Sequence, residues 1–296
     1  MNFSRCPYLL PVMVLCSACV SAGARFDHIA NRTGMERSSI DGSGFTHRLY
    51  VNGAAHSADR SKQDLWVFIE GDGSPLEFDS IALAVQPARD PIARNPIGLR
   101  LAAATPASAL YLSRPCYGDA ATETRCDSSL WTAARYSRPV IDSMVAALTA
   151  YHIQHGWRSL ILVGYSGGGV LAVAMADRIA AVRAVVTISA NLDIDAWARA
   201  SSCRPLAGRI SATAGGCEPF VDSVNPADSL RQRHWTEIAL IAGKDTVVPR
   251  HTTENYFAHH PETSLWEYPT FDHVCCWAQQ WPQIFHRLAT KLAAPD

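Results

Sequence analysis

Short apolar runs recur along the chain between Gly- and Pro-rich turns, and most are apolar at nearly every position rather than at alternate ones. Residues 65–70 (LWVFIE), 109–113 (ALYLS), 159–163 (SLILV), 184–188 (AVVTI) and 237–241 (EIALI) read as strands buried on both faces. Weaker strands lie at 48–51 and 264–267. Segments with helical spacing separate them. Residues 137–155 set Val140, Met144, Leu148 and Tyr151 on one side, and Gly156 stops the run. Residues 167–180 are small and apolar over a helical length, and 277–292 close the chain as a helix. Apolar strands interleaved with helices predict an α/β fold, a mostly parallel sheet covered by helices on both faces. The stretch 190–235 is long and irregular, which predicts a small cap-like excursion over the top of the sheet.

The amino terminus departs from this alternation. Arg5 and the terminal amine precede an uncharged stretch from Pro7 to Val20, 14 residues long. That is short of the roughly 20 residues that span a bilayer. Residues 1–24 fit an export signal, leaving 25–296 as one domain. Two cleavage sites compete. Cys16-Ser17-Ala18-Cys19 resembles a bacterial lipobox with Cys19 as the lipid acceptor, although Cys16 stands where Leu is usual. Ala22-Gly23-Ala24 is an ordinary A-x-A site. The first is favoured. It implies a periplasmic or outer-membrane lipoprotein held by several lipid chains, with plain secretion as the alternative.

Cysteine usage agrees with export. Of nine cysteines, six follow the signal: Cys116, Cys126, Cys203, Cys217, Cys275 and Cys276. An even number in an exported chain suggests disulfides, with several pairings open. Cys116 with Cys126 and Cys203 with Cys217 each close a short turn-rich loop, worth about 3 kcal/mol apiece in the loop-entropy model. Cys275 and Cys276 are adjacent. Neighbouring Cα atoms sit about 3.8 Å apart, less than the separation usual for a disulfide, so a bridge between them would be strained. Two thiols or a different pairing stay open.

Composition narrows the function class. The 296 residues are 48% apolar and 18% charged, with a net charge of −1. Such a chain is globular and large enough to build its core without a metal. It has no basic block of the kind that nucleic acid selects, so no nucleic-acid partner is expected.

The sharpest motif is Gly164-Tyr165-Ser166-Gly167-Gly168, a G-x-S-x-G string. It follows an apolar strand and opens a helix of small residues, the strand–turn–helix setting in which such a serine is held clear of the sheet. There the free amides and helix dipole favour a developing oxyanion. A serine hydroxyl needs a base. His273, in Phe271-Asp272-His273-Val274, follows the last strand. Asp245 follows the strand before it. The order Ser166, Asp245, His273 suits this architecture. Asp193 is the competing acid, and Asp272 would have to fold back on its neighbour. One oxyanion donor is then the Gly167 amide. The second is the Asp72 amide in Glu70-Gly71-Asp72-Gly73, with its carboxylate turned away from the oxyanion.

With these residues in place, the chain resembles the α/β-hydrolase superfamily over roughly residues 45–292. Further strings resemble exported bacterial hydrolases of unsettled substrate: Ser113-Arg114-Pro115-Cys116, Asn191-Leu192-Asp193, Asn225-Pro226-Ala227-Asp228 and His273-Val274-Cys275-Cys276-Trp277. The resemblance implies the α/β-hydrolase fold, with its cap after the sixth strand. It departs at Glu70, where the superfamily usually has His.

Together these features predict a serine hydrolase acting on a small-molecule or lipid-like ester or thioester, with no cofactor and no metal. An acyltransferase with the same triad and a non-catalytic binding protein of this fold are the alternatives. His152 with His155, and His259 with His260, lack partners at metal-ligand spacing. Trp131, Trp197, Trp235 and Trp277 are candidates for core or for an acyl pocket.

Overall fold

The computed structural model describes residues 22–57, 59–118, 123–201, 220, 222–229 and 232–293. Its strands are β1 (Glu36–Asp41), β2 (Thr46–Val51), β3 (Asp64–Ile69), β4 (Leu76–Asp79), β5 (Ala84–Pro87), β6 (Ala109–Leu112), β7 (Ser159–Tyr165), β8 (Val182–Ile188), β9 (Thr236–Ala242) and β10 (Ser264–Tyr268). Its helices are α1 (Ala22–Arg32), α2 (Gly53–Ser57), α3 (Ile97–Ala104), α4 (Arg138–His155), α5 (Gly167–Ala176), α6 (Ile194–Ser201), α7 (Glu254–His259) and α8 (Trp277–Ala293).

Eight strands form one sheet in the order β1-β2-β6-β3-β7-β8-β9-β10. From β6 to β10 every neighbouring pair is parallel. β1 and β2 add an antiparallel edge. β4 and β5 pair separately as a hairpin with Phe78, Ile81 and Leu83 exposed.

The apolar runs explain the layering. In β3, Leu65, Val67 and Ile69 enter one core with α4 and α5, whereas Trp66 and Phe68 enter the other with α1, α3 and α8. A strand so placed has no polar face, which is why its sequence is continuous rather than alternating. Every residue of α5 is buried, so that helix also lacks a polar side. α4 starts after Ser137 with Pro139 in its first turn. It ends where Gly156 turns left-handed at φ 67°, its N–H donating to the His152 carbonyl.

Eight elements lie outside the expected set, namely β1, β4, β5, α1, α2, α3, α6 and α7, several of them for evident physical reasons. β1 is polar because it is an exposed edge. α3 is a short, largely buried apolar run, which periodicity alone does not separate from a strand. The β4–β5 hairpin is too short to give a clear period. α1 begins inside the segment assigned to the signal, and its Phe26 ring packs 5.4 Å from both Tyr50 and Tyr111.

In the stretch read as a cap, the described parts are α6 and a turn at Pro226–Asp228. Cys203 and Cys217 lie outside the described residues, as does Cys19. Cys116 and Cys126 are joined, their Cα atoms 5.6 Å apart. Cys275 and Cys276 are bridged to each other, not left as thiols or paired elsewhere. Among the described residues no helix is long and apolar enough to cross a membrane.

Trp281 ties the second core to the sheet. It is fully buried, meets Phe68 edge-on at 5.8 Å and donates its indole N–H to Thr105 Oγ1 at 2.9 Å. Trp281→Ala is expected to lower unfolding stability by about 3–5 kcal/mol, read from the denaturant midpoint.

Candidate active site

The Gly164–Gly168 motif folds as the tight turn from β7 into α5. Ser166 sits at φ 51° and ψ −127°, a conformation a non-glycine residue adopts only at a cost of about 1–3 kcal/mol. Crowding around it accounts for the flanking glycines. A Cβ on Gly164 would fall 2.4 Å from the Gly168 carbonyl oxygen, and one on Gly168 would fall 2.3 Å from that of Ile69. The Ser166 N–H donates to the Ile188 carbonyl at 2.8 Å, which pins the turn to β8.

Two loops from further strands reach this turn. Asp245, three residues after β9, has its side chain nearly fully buried. Its Oδ1 accepts the Val247 and Val248 N–H groups at 2.9 and 2.8 Å, leaving Oδ2 aimed at His273. His273 Nδ1 donates to that oxygen at 2.8 Å. Its Nε2 accepts from Ser166 Oγ at 3.1 Å. The backbone of this loop is held as well, because the His273 carbonyl accepts the Tyr165 hydroxyl at 2.9 Å and the Trp277 indole N–H at 3.2 Å. The three residues picked out in the sequence therefore form one hydrogen-bonded row.

The competing acids are engaged elsewhere. Asp193 accepts from the Ala196 amide and the Asn255 side chain at the start of α6. Asp272 accepts the Val274 and Cys275 amides within its own turn.

The loop after β3 lies against the serine, for a Cβ on Gly71 would be 3.1 Å from Ser166 Cβ. Neither the Asp72 N–H nor the Gly167 N–H has a hydrogen-bond partner among the described residues. Both remain available to an oxyanion. The Asp72 carboxylate is held by side chains that the sequence did not point to. It folds over Gly167, close enough that a Cβ there would be 2.1 Å from Oδ1. Arg114 Nη1 donates to that oxygen at 2.6 Å. Arg135 Nη1 and the Tyr136 hydroxyl donate to Oδ2 at 3.0 and 2.6 Å. Burial opposes the charge on Asp72, but the two guanidinium groups and the hydroxyl outweigh it and hold the carboxyl below its ordinary range. Arg114 belongs to the Ser113-Arg114-Pro115-Cys116 string, whose role is not legible from sequence. For Arg135 no sequence signal existed.

Glu70 takes the place where His was expected. Its Oε1 accepts the Gly71 N–H at 3.2 Å, and its Oε2 accepts the Leu99 N–H at 3.4 Å in the first turn of α3. Burial pushes its carboxyl up to about 7, against the opposing pull of those amides and of Arg100.

The remaining candidates separate clearly. Trp131, Trp235 and Trp277 are buried among core residues. Trp197 is half-buried on α6, stacked 6.0 Å from Phe220. Among the described residues, Cys116, Glu123 and Cys126 alone gather as metal-type ligands, and their two sulfurs are tied to each other.

No protein-family model matches the sequence, and no curated protein sequence matches it. Solved structures do. Est1E from Butyrivibrio proteoclasticus matches with a TM-score of 0.58 at 13% identity, over 87% of this chain and 99% of that one. The esterase Pf2001 from Pyrococcus furiosus matches at 0.61 and 11%, over 89% and 92%. A serine α/β hydrolase without a lid from Xanthomonas campestris matches at 0.52 and 14%, over 89% and 98%. The fold of this chain is that of the α/β hydrolases.

Two outcomes follow from this geometry. Gly167→Ala forces the added methyl into Asp72 and is expected to cost about 1–3 kcal/mol of stability, read by thermal unfolding. Glu70 gives a pH dependence. Its folded pKa lies above the ordinary 4.5, so its contribution is complete below about pH 4.5 and is lost as pH rises through about 7. Wild-type stability should fall across that window by on the order of 3 kcal/mol relative to Glu70→Gln, read from denaturant midpoints at pH 5 and pH 8.

Proposed function

We propose that this protein is a serine hydrolase that cleaves a carboxylic ester or thioester through an acyl-serine intermediate. The observation that carries this is the row Ser166 Oγ, His273 Nε2, His273 Nδ1, Asp245 Oδ2, with spacings of 3.1 and 2.8 Å across its two hydrogen bonds. Support also comes from the neighbours of the same fold, which include the Pyrococcus furiosus esterase.

Ser166 Oγ attacks the substrate carbonyl carbon as its proton passes to His273 Nε2. Asp245 keeps the proton on Nδ1 and stabilises the imidazolium that results. The carbonyl electrons collect on oxygen, within reach of the Gly167 and Asp72 amides. The tetrahedral species collapses, the bond to the alcohol or thiol breaks, and His273 returns its proton to that leaving group. Water then attacks the acyl-serine, again giving a proton to His273. Collapse releases the acid and restores the Ser166 hydroxyl.

The same proposal places the enzyme outside the cytoplasm, lipidated on Cys19. Two disulfides suit an oxidising compartment. Residues 22–24 form the first turn of α1 with Gly23 buried, so cleavage after Ala24 would remove that turn, whereas cleavage before Cys19 keeps it.

The purified enzyme should hydrolyse p-nitrophenyl esters and take a fluorophosphonate label on Ser166. Ser166→Ala is expected to abolish labelling and lower kcat by roughly 10⁴-fold or more with the circular dichroism spectrum unchanged. Asp245→Asn should lower kcat by up to about 10⁴-fold. Full ester turnover by Ser166→Ala would refute the assignment. Release of free acid in the presence of an added alcohol separates hydrolysis from acyl transfer.

A further inference from the structure

We propose that Asp72, Arg114 and Arg135 form a clamp that fixes the oxyanion hole and gives it a net positive charge as the oxyanion develops. This rests on the serine-hydrolase mechanism above, and it assigns positioning roles to two arginines that the triad does not use.

The clamp joins the two donor residues directly. Asp72 offers its amide to the oxyanion, and its own carboxylate rests against Gly167, which carries the other amide. A lone carboxylate there would repel the charge that forms on the substrate oxygen. Two guanidinium groups contact it instead, so the cluster carries one positive charge in excess. The Tyr136 hydroxyl adds a third donor, and Asn191 Nδ2 in turn donates to that hydroxyl at 3.1 Å.

Each arginine is itself fixed. Arg114 is buried, its Nη2 donating to the Arg135 carbonyl at 2.6 Å and its guanidinium 5.0 Å from the Tyr117 ring. Arg135 Nε donates to the Thr132 carbonyl at 2.6 Å. The Tyr117 hydroxyl reaches the Asp72 carbonyl at 3.2 Å, so the loop is held through its backbone as well. The loop after β3, the loop after β6 and the segment entering α4 thus meet on one carboxylate. The Cys116–Cys126 bridge closes the segment just beyond Arg114.

A purely architectural tie would not need these charges. Buried ion pairs often return less than their desolvation costs, and apolar packing would hold three loops as well. What apolar packing does not supply is a field that acts on the transition state alone.

The test compares purified wild type with Arg135→Gln, Arg135→Lys and Arg114→Lys on a p-nitrophenyl ester. Arg135→Gln should lower kcat about 10- to 100-fold with KM within about twofold, because the oxyanion is absent from the ground state. Arg135→Lys keeps the charge and the single contact to Asp72, and should recover kcat to within about threefold of wild type. Arg114→Lys should not recover it, because an ammonium does not span Asp72 and the Arg135 carbonyl together; a loss of about tenfold or more is expected. Ki for an alkyl boronic acid, which mimics the tetrahedral species, should rise in step with the fall in kcat/KM.

Wild-type kcat in folded Arg135→Gln or in folded Arg114→Lys overturns the clamp. So does a loss in Arg135→Lys equal to that in Arg135→Gln. If Arg135→Gln does not fold, Arg114→Lys decides alone. An inactive, unlabelled wild type would instead overturn the hydrolase mechanism, so the two failures are distinguishable.

Discussion

A serine at φ 51° and ψ −127° is stable only where its surroundings leave it no alternative, and the neighbourhood of Ser166 meets that condition. β3, β7, β8 and α5 converge on the turn so closely that Gly164 and Gly168 have no room for a side chain. The strained turn exposes the hydroxyl and lifts the Gly167 amide into the same space. A parallel sheet makes this possible, because every loop at its carboxyl edge opens on one crevice. Ser166, Asp245, His273, Asp72 and Arg114 all come from such loops.

Charge is arranged differently on the two sides of the serine. On one side a single carboxylate, Asp245, faces a titratable ring and is steered by two backbone amides. On the other, Asp72 is matched against two cations that do not titrate in the working range. The first arrangement lets a proton move. The second fixes geometry whatever the pH. Glu70 sits just behind the second, its carboxyl pushed up to about 7 by burial, so the oxyanion loop has a permanently charged front and a titrating back.

The parts legible in the sequence are those with a fixed chain order. Ser166 announces itself by a motif, and Asp245 and His273 by their places after successive strands. The doubly buried strands were legible because lack of alternation is itself a pattern. Arg114 was visible as part of a string without any reason to aim it, and Arg135 was one arginine among many. Side-chain direction was the weak point. The Asp72 carboxylate shows this, because its partners Arg114, Arg135 and Tyr136 come from segments more than 40 residues away in the chain. α1 was hidden for another reason: its first turn falls inside the segment read as a signal, and the eight residues that follow are too few to show a helical period.

The two borders of the main sheet differ in what they offer a neighbour. β1 presents Glu36, Arg37 and Asp41 to solvent on its outer rim. A foreign strand hydrogen-bonding there would have to lie alongside both signs of charge and strip their water. At the far border, β10 is guarded by the Arg250–Glu267 ion pair. The sheet is therefore capped at both ends by its own chemistry, and strand-by-strand growth from one molecule into the next is disfavoured.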